Sequence, residues 1–274
     1  MANRIASPAH NVPLPSTRDD SLPQRLPAVF RIQSIERLPF DGRTLLNRAV
    51  LFHERAALRV TWLSDRVDVR LCADALVSIR WLGRPSSSAG AVRISRLVPL
   101  ERPEATVNLF ETVPTSWIRN RALMQRAVLL WERMNPPLKA LMNAVLWRHD
   151  RFRRFITGPS SLAGHHPDWH GNFAHSVEVA EQALRLGADQ GGDSVLIAAG
   201  LLHDVGKADE YQFDPARNCF VMSQRGALIG HRNTLLEWVG AARAASPIPV
   251  PESRYLALLH ALTAAKGAPA SLGL

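Results

Sequence analysis

Cysteine is close to absent from this chain. Only Cys72 and Cys219 occur among 274 residues, far apart and without ligand-like spacing, which argues against a disulfide framework or a zinc knuckle. Long apolar runs are also missing, since none reaches the roughly 18 residues a membrane-spanning helix needs. Residues 1–25 carry Pro8, Pro13, Pro15 and Pro23 among Ser, Asn and Asp. They lack the apolar centre of a signal peptide and read as a disordered leader. The expectation is a soluble cytoplasmic protein with no membrane partner. Lysine is scarce as well, at Lys139, Lys207 and Lys266 only, so arginine carries the formal charge of +9.

That charge is unevenly spread. Residues 1–164 hold 25 Lys+Arg against 13 Asp+Glu, a balance of +12, and residues 165–274 hold 8 against 11, a balance of −3. Such a split suits a basic part that grips a polyanion and a second part that does chemistry. The apolar content of 46% is enough to bury a core in each.

From residue 26 to about 100 the pattern has a period of two. Residues 48–53, 57–63, 67–71, 76–82 and 91–97 alternate apolar and polar side chains, which predicts five half-buried strands and a small barrel resembling the oligonucleotide-binding (OB) fold. Arg59, Arg70, Arg80 and Arg93 fall on outward positions, as does Arg96. With Trp81 or Trp62 as a stacking surface, they make a candidate site for single-stranded nucleic acid. The same arginines also suit the ordinary wet face of a sheet with the tryptophans in its core.

Residues 101–120, with Pro103 and Pro114, read as a linker. Beyond it, residues 121–133 and 137–155 show apolar side chains at three- and four-residue steps and predict helices, parted by Pro136 and Pro137. The whole is expected to be an α+β multidomain chain, with an N-terminal OB-like barrel followed by an all-α bundle over residues 121–274.

Seven of the ten histidines follow residue 164. His175 lies early in an amphipathic helix, His203 follows the apolar run 195–202, His231 opens another helix, and His260 follows the apolar run 255–259. An imidazole and a carboxylate side by side, His203 and Asp204, are costly to bury without partners, and a metal ion satisfies both. Gly206 then frees Lys207 to point into a pocket.

The pattern of His175 followed by His203-Asp204 resembles the HD superfamily of metal-dependent phosphohydrolases. The flanks narrow the likeness. His165-His166, Gly171 and His175, then residues 199–207, then Gly226 to His231 are similar to YhaM-type 3′-5′ exoribonucleases, which also place an OB-fold before the HD domain. HD domains of relaxase-type proteins of mobile elements are similar too. The resemblance implies that His175, His203 and Asp204 are metal ligands, that His231 and His260 complete a second metal position, and that Asp204 and Lys207 are catalytic. It implies one or two divalent ions, drawn from Mn, Fe, Co, Ni, Zn or Mg, and a 3′-5′ exonuclease acting on single-stranded RNA or DNA. An alternative is a phosphohydrolase of a small nucleotide. The resemblance also implies a closing aspartate after His260, yet no acidic residue follows Glu252. A truncated HD domain acting as an impaired nucleic-acid-binding or mobile-element accessory protein is therefore a third expectation.

Overall fold

Alternating burial builds the first half of the molecule. The computed structural model describes residues 26–83, 87–88, 90–163, 167–187 and 192–264. The leader expected over residues 1–25 and the pair His165-His166 lie outside the described residues. The strands are β1 (Phe30–Asp41), β2 (Thr44–His53), β3 (Ala56–Ser64), β4 (Leu76–Trp81), β5 (Ser87–Ser88) and β6 (Ala91–Pro99). Five of them run in the order β3-β2-β1-β4-β6, with the short β5 paired to β6. A parallel contact between β3 and β6, with Val60 opposite Val92, closes the ring. Closure satisfies strand edges that would otherwise invite another chain. Leu51, Leu58, Val60, Trp62, Val92 and Ile94 point inward and form the barrel core.

Two sequence expectations change here. Residues 67–71 are not a strand. Asp68 folds them into a turn by accepting the N–H of Arg70 (3.1 Å), its backbone oxygen accepts from Leu71, and Val67 and Val69 face solvent. The fifth barrel strand is instead β1. Its alternation was hidden because Phe30, Arg31 and Ile32 are all buried in succession.

The second half is helical. Its helices are α1 (Arg121–Arg133), α2 (Pro136–Leu146), α3 (His149–Thr157), α4 (Gly171–Gly187), α5 (Asp193–Leu202), α6 (Lys207–Glu210), α7 (Gln224–Leu228), α8 (Gly230–Ala245) and α9 (Glu252–Ala264). Asn120 and Asn135 cap α1 and α2 by accepting the N–H groups of Leu123 and Leu138. The helix expected over 137–155 is two helices, because Arg148 is extended and Arg151 caps the carbonyl of Val145. A hairpin of β7 (Tyr211–Asp214) and β8 (Cys219–Met222), absent from the all-α expectation, follows α6. The stretch 101–120 is more than a connection, since Leu109, Phe110, Val113, Trp117 and Ile118 are buried in the helical core. No helix among the described residues is long and apolar enough to cross a membrane.

Buried polar groups fasten the halves together. Arg31 of β1 is 1% exposed and donates to the Thr112 carbonyl (3.2 Å), to Thr112 Oγ1 (2.9 Å) and to the Asp74 carbonyl (2.7 Å). Its guanidinium also lies 4.8 Å from the Trp117 ring centroid. Burial lowers its pKa to about 9, against the attraction of Asp74. Asp74 takes the left-handed conformation, and its two carboxylate oxygens accept from Trp117 Nε1 (3.1 Å) and Arg153 (2.8 Å). Replacing Arg31 with alanine leaves Thr112 and the Asp74 carbonyl unanswered in an apolar interface. The variant is expected to lose about 2–4 kcal/mol in a denaturant titration.

His53, at the same junction, is 5% exposed, and burial followed by the charge of Arg55 lowers its pKa to about 4. Glu111 stands 3.6 Å away, and burial raises its own pKa, so the pair is read as neutral imidazole beside a partly desolvated acid. The folded chain thus keeps His53 neutral after the unfolded chain, titrating near 6.5, has bound its proton. Stability should fall between about pH 6.5 and 4 by up to roughly 3 kcal/mol from this group, partly offset by Glu111. Urea titrations at stepped pH should show a shallower fall for His53→Gln.

Candidate metal centre

Close packing of α4 on α5 brings the first two histidines together. A Cβ on Gly200 would overlap the backbone of Ala180, so only glycine lets the helices approach this closely. His175 projects from α4, and His203 is the residue that caps the C-terminus of α5. Their ring centroids lie 5.1 Å apart. The apolar face of α5, through Ile197, Ala198, Leu201 and Leu202, anchors this end of the helix in the core.

Asp204 follows as a buried carboxylate, and its surroundings are divided between its two oxygens. Oδ2 lies 2.6 Å from Lys207 Nζ, 3.3 Å from His203 Nε2 and 3.7 Å from His175 Nε2. Oδ1 lies 3.5 Å from His231 Nε2. Burial alone would raise the pKa of Asp204. The hydrogen bond and charge of His203, together with Lys207, overcome that and hold it well below the usual carboxylate range. Asn172 donates to the Asp204 carbonyl (3.1 Å), and Lys207 also reaches Ser160 Oγ (3.4 Å).

The imidazole hydrogens determine what the cluster can hold. His203 Nδ1 lies 2.8 Å from the Gly200 carbonyl, which can only accept, so Nδ1 carries the hydrogen. The other ring nitrogen of His203, Nε2, stands 3.3 Å from Asp204 Oδ2. His231 lies between two carboxylates, with Nδ1 2.6 Å from Glu210 Oε2 and Nε2 3.5 Å from Asp204 Oδ1. A divalent cation can take a nitrogen lone pair from an imidazole and an oxygen from the carboxylate at once. The chemistry of the donor set therefore fits a divalent ion, and His175, His203 and Asp204 offer ligand atoms that all lie within 4.8 Å of one another.

The expected residues do not all converge. His231 arrives with α8, whose first turn touches the HD turn so tightly that a Cβ on Gly206 would overlap the His231 carbonyl. His260, expected as a ligand, is exposed on α9 and lies outside the cluster, because that helix buries Tyr255, Leu258 and Leu262 on its other face. Glu210 was not foreseen. Asp209 lies 2.5 Å from Arg154, and Glu210 Oε2 lies 2.6 Å from His231 Nδ1. Tyr211, next in the chain, has its hydroxyl pKa pushed up to about 12 by burial, then by Glu210 and Asp204.

The barrel residues divide as well. Arg59, Arg80 and Arg93 are exposed on strands, Arg80 stands opposite Arg96, and none of these four has a carboxylate within 4 Å among the described residues. Arg93 borders an open groove of about 520 Å³ with Phe40, Leu63 and Leu82. Trp81 is half-buried against the barrel core, and Trp62 is part of that core. Arg70 differs from the expectation. It sits in the 67–71 turn with its guanidinium 2.7 Å from both Asp68 and Glu101, which raise its pKa.

The family model of the HD domain matches residues 172–245. That span holds His175, His203, Asp204, Lys207, Glu210 and His231, and leaves out His260. No curated protein matches the chain.

A methyl group at Gly206 must push α8 and His231 away from the HD turn, whereas Gly240 of the same helix has open space around it. Gly206→Ala is expected to destabilise by about 1–3 kcal/mol, and Gly240→Ala to stabilise by up to about 1 kcal/mol. Parallel thermal and urea melts check the opposite signs.

Proposed function

We propose that the protein is a metal-dependent phosphohydrolase whose substrate is single-stranded RNA or DNA, degraded from the 3′ end. The observation that carries the metal-dependent reading is the convergence of His175, His203 and the buried Asp204, whose ligand atoms all lie within 4.8 Å of one another. His175, His203 and Asp204 would hold the ion. A divalent ion held there supplies Lewis acidity and lowers the pKa of a bound water.

The remaining residues act on charge and position. Lys207, 12% exposed in its side chain, brings a fixed positive charge to the edge of the site, where a phosphate oxygen can meet it. His231 Nε2 stands on the opposite side of Asp204, 3.5 Å from Oδ1, where it would serve as a further ligand or as a proton acceptor. The polynucleotide part of the reading rests on the barrel. Arg59, Arg80, Arg93 and Arg96 leave a basic surface without carboxylate partners among the described residues, suited to a phosphodiester backbone. The buried Arg31 and Asp74 contacts make barrel and helical half one unit, so a strand held on the first is offered to the second in a set orientation.

The test is a 5′-labelled single-stranded oligonucleotide incubated with purified protein and Mn²⁺. The expected result is stepwise loss of nucleotides from the 3′ end. Asp204→Asn and His203→Ala should each reduce it at least about 100-fold, the low end of what removing a group that moves protons or stabilises charge in the reaction costs. Activity that survives both changes overturns the assignment. Hydrolysis confined to free mono-, di- or cyclic nucleotides overturns the polynucleotide part alone.

A further inference from the structure

Aromatic side chains collect on one face of the hairpin of β7 and β8, which leaves the Asp204 site directly after α6. In this antiparallel pair Phe213 stands opposite Phe220 and Tyr211 opposite Met222, so all four side chains point the same way. Trp169, from the turn before α4, lies across the outer pair. Its ring centroid is 5.1 Å from that of Phe213 and 4.8 Å from that of Phe220, and the two phenylalanines are 5.4 Å apart. Mutual contact steadies a two-stranded hairpin, which is marginal alone. It does not call for a tryptophan that keeps 52% of its surface in water, with Phe213 exposed beside it. Contiguous exposed apolar surface of this kind marks a binding site.

Both sides of the cluster are tied to the elements around Asp204. Trp169 is followed by His170, in the left-handed region at φ 70°, whose N–H donates to the Thr157 carbonyl (3.1 Å). Asn172, three positions after Trp169, donates to the Asp204 carbonyl. The hairpin begins at Tyr211 and returns to α6 at Ser223, whose N–H donates to the Glu210 carbonyl (2.9 Å). Asp204 is near enough to Tyr211 to add to the effects of burial and Glu210 in raising its hydroxyl pKa. Aromatic rings thus run from Tyr211, next to the site, outward to Phe213, Phe220 and Trp169. Lys207 suits a phosphate, and flat apolar rings suit the base attached to it. Resting on the polynucleotide reading above, we propose that Trp169, Phe213 and Phe220 form a stacking platform for a nucleobase of the strand whose phosphate lies at the Asp204 site. Every base has such a face, so the platform takes single-stranded substrate without a sequence preference.

The experiment measures binding by the full chain in the presence of EDTA, so that neither metal nor hydrolysis enters. The probes are an oligo-dT of about eight nucleotides, within the range one such surface covers, and an abasic deoxyribose-phosphate chain of the same length, which keeps the phosphates and lacks the bases. Wild type should bind oligo-dT more tightly than the abasic chain. Trp169→Leu and Phe213→Leu should each bind oligo-dT about 5–150-fold more weakly, the cost of one lost stack, and the abasic chain unchanged. Trp169→Tyr, which keeps a flat ring, should recover part of the loss. Should a leucine variant fail to fold, the fluorescence difference between wild type and Trp169→Tyr still decides, since a base stacked on Trp169 quenches its emission. Equal affinity of wild type and folded Trp169→Leu for oligo-dT overturns the proposal, as does an equal loss for both probes or an absence of quenching. Wild type that binds neither probe overturns the polynucleotide reading along with it. Oligo-dT that stacks on Trp169 and is not shortened when Mn²⁺ replaces EDTA overturns the hydrolytic reading and leaves the platform standing.

Discussion

A carboxylate taken out of water is unstable without positive groups around it, and much of the helical half is arranged around that constraint at Asp204. The HD turn places it at 6% exposure between helices, with Lys207 as its nearest cation and three imidazoles around it. Each supporting feature traces back to this group. Gly200 allows α4 and α5 to close on each other, the carbonyl of Gly200 fixes the ring of His203, Gly206 admits α8, and α8 brings His231 to the Oδ1 side of Asp204. Clusters of buried titratable groups with strongly shifted pKa values mark functional sites.

A second constraint joins the site to the rest of the chain. The barrel and the helical half are held by Arg31 and Asp74, polar groups buried in an interface that also contains Trp117 and Phe152. Each guanidinium nitrogen of Arg31 has an acceptor, so separating the halves would strand several groups at once. The barrel surface with its exposed arginines and the Asp204 site are thus joined through buried contacts.

Much of this was legible in the amino-acid order. The period-two runs located four barrel strands, and α1 appeared with the bounds read from its apolar spacing, because in both cases one face is buried and the other wet. Residues 67–71 alternate as well, but Asp68 bends them through local hydrogen bonds that periodicity does not register. Arg70 was lost from the candidate surface for the same reason, since its partners Asp68 and Glu101 stand 2 and 31 positions away. The core role of residues 101–120 was hidden by their prolines, which signal broken helices without excluding burial.

For the candidate site, the order of residues determined the chemistry. His175, His203, Asp204 and Lys207 could be named in advance, because an imidazole-carboxylate pair at the end of an apolar helix has few physical uses. The tertiary structure alone decided membership and orientation. His260 and His231 both begin as histidines on apolar helices, yet α9 turns one to solvent while the Gly206 approach seats the other against Asp204. Glu210 carries no motif that singles it out. Contacts of this sort depend on which backbones can touch and on which nitrogen carries a hydrogen, and neither is written in the spacing of residues along a single chain.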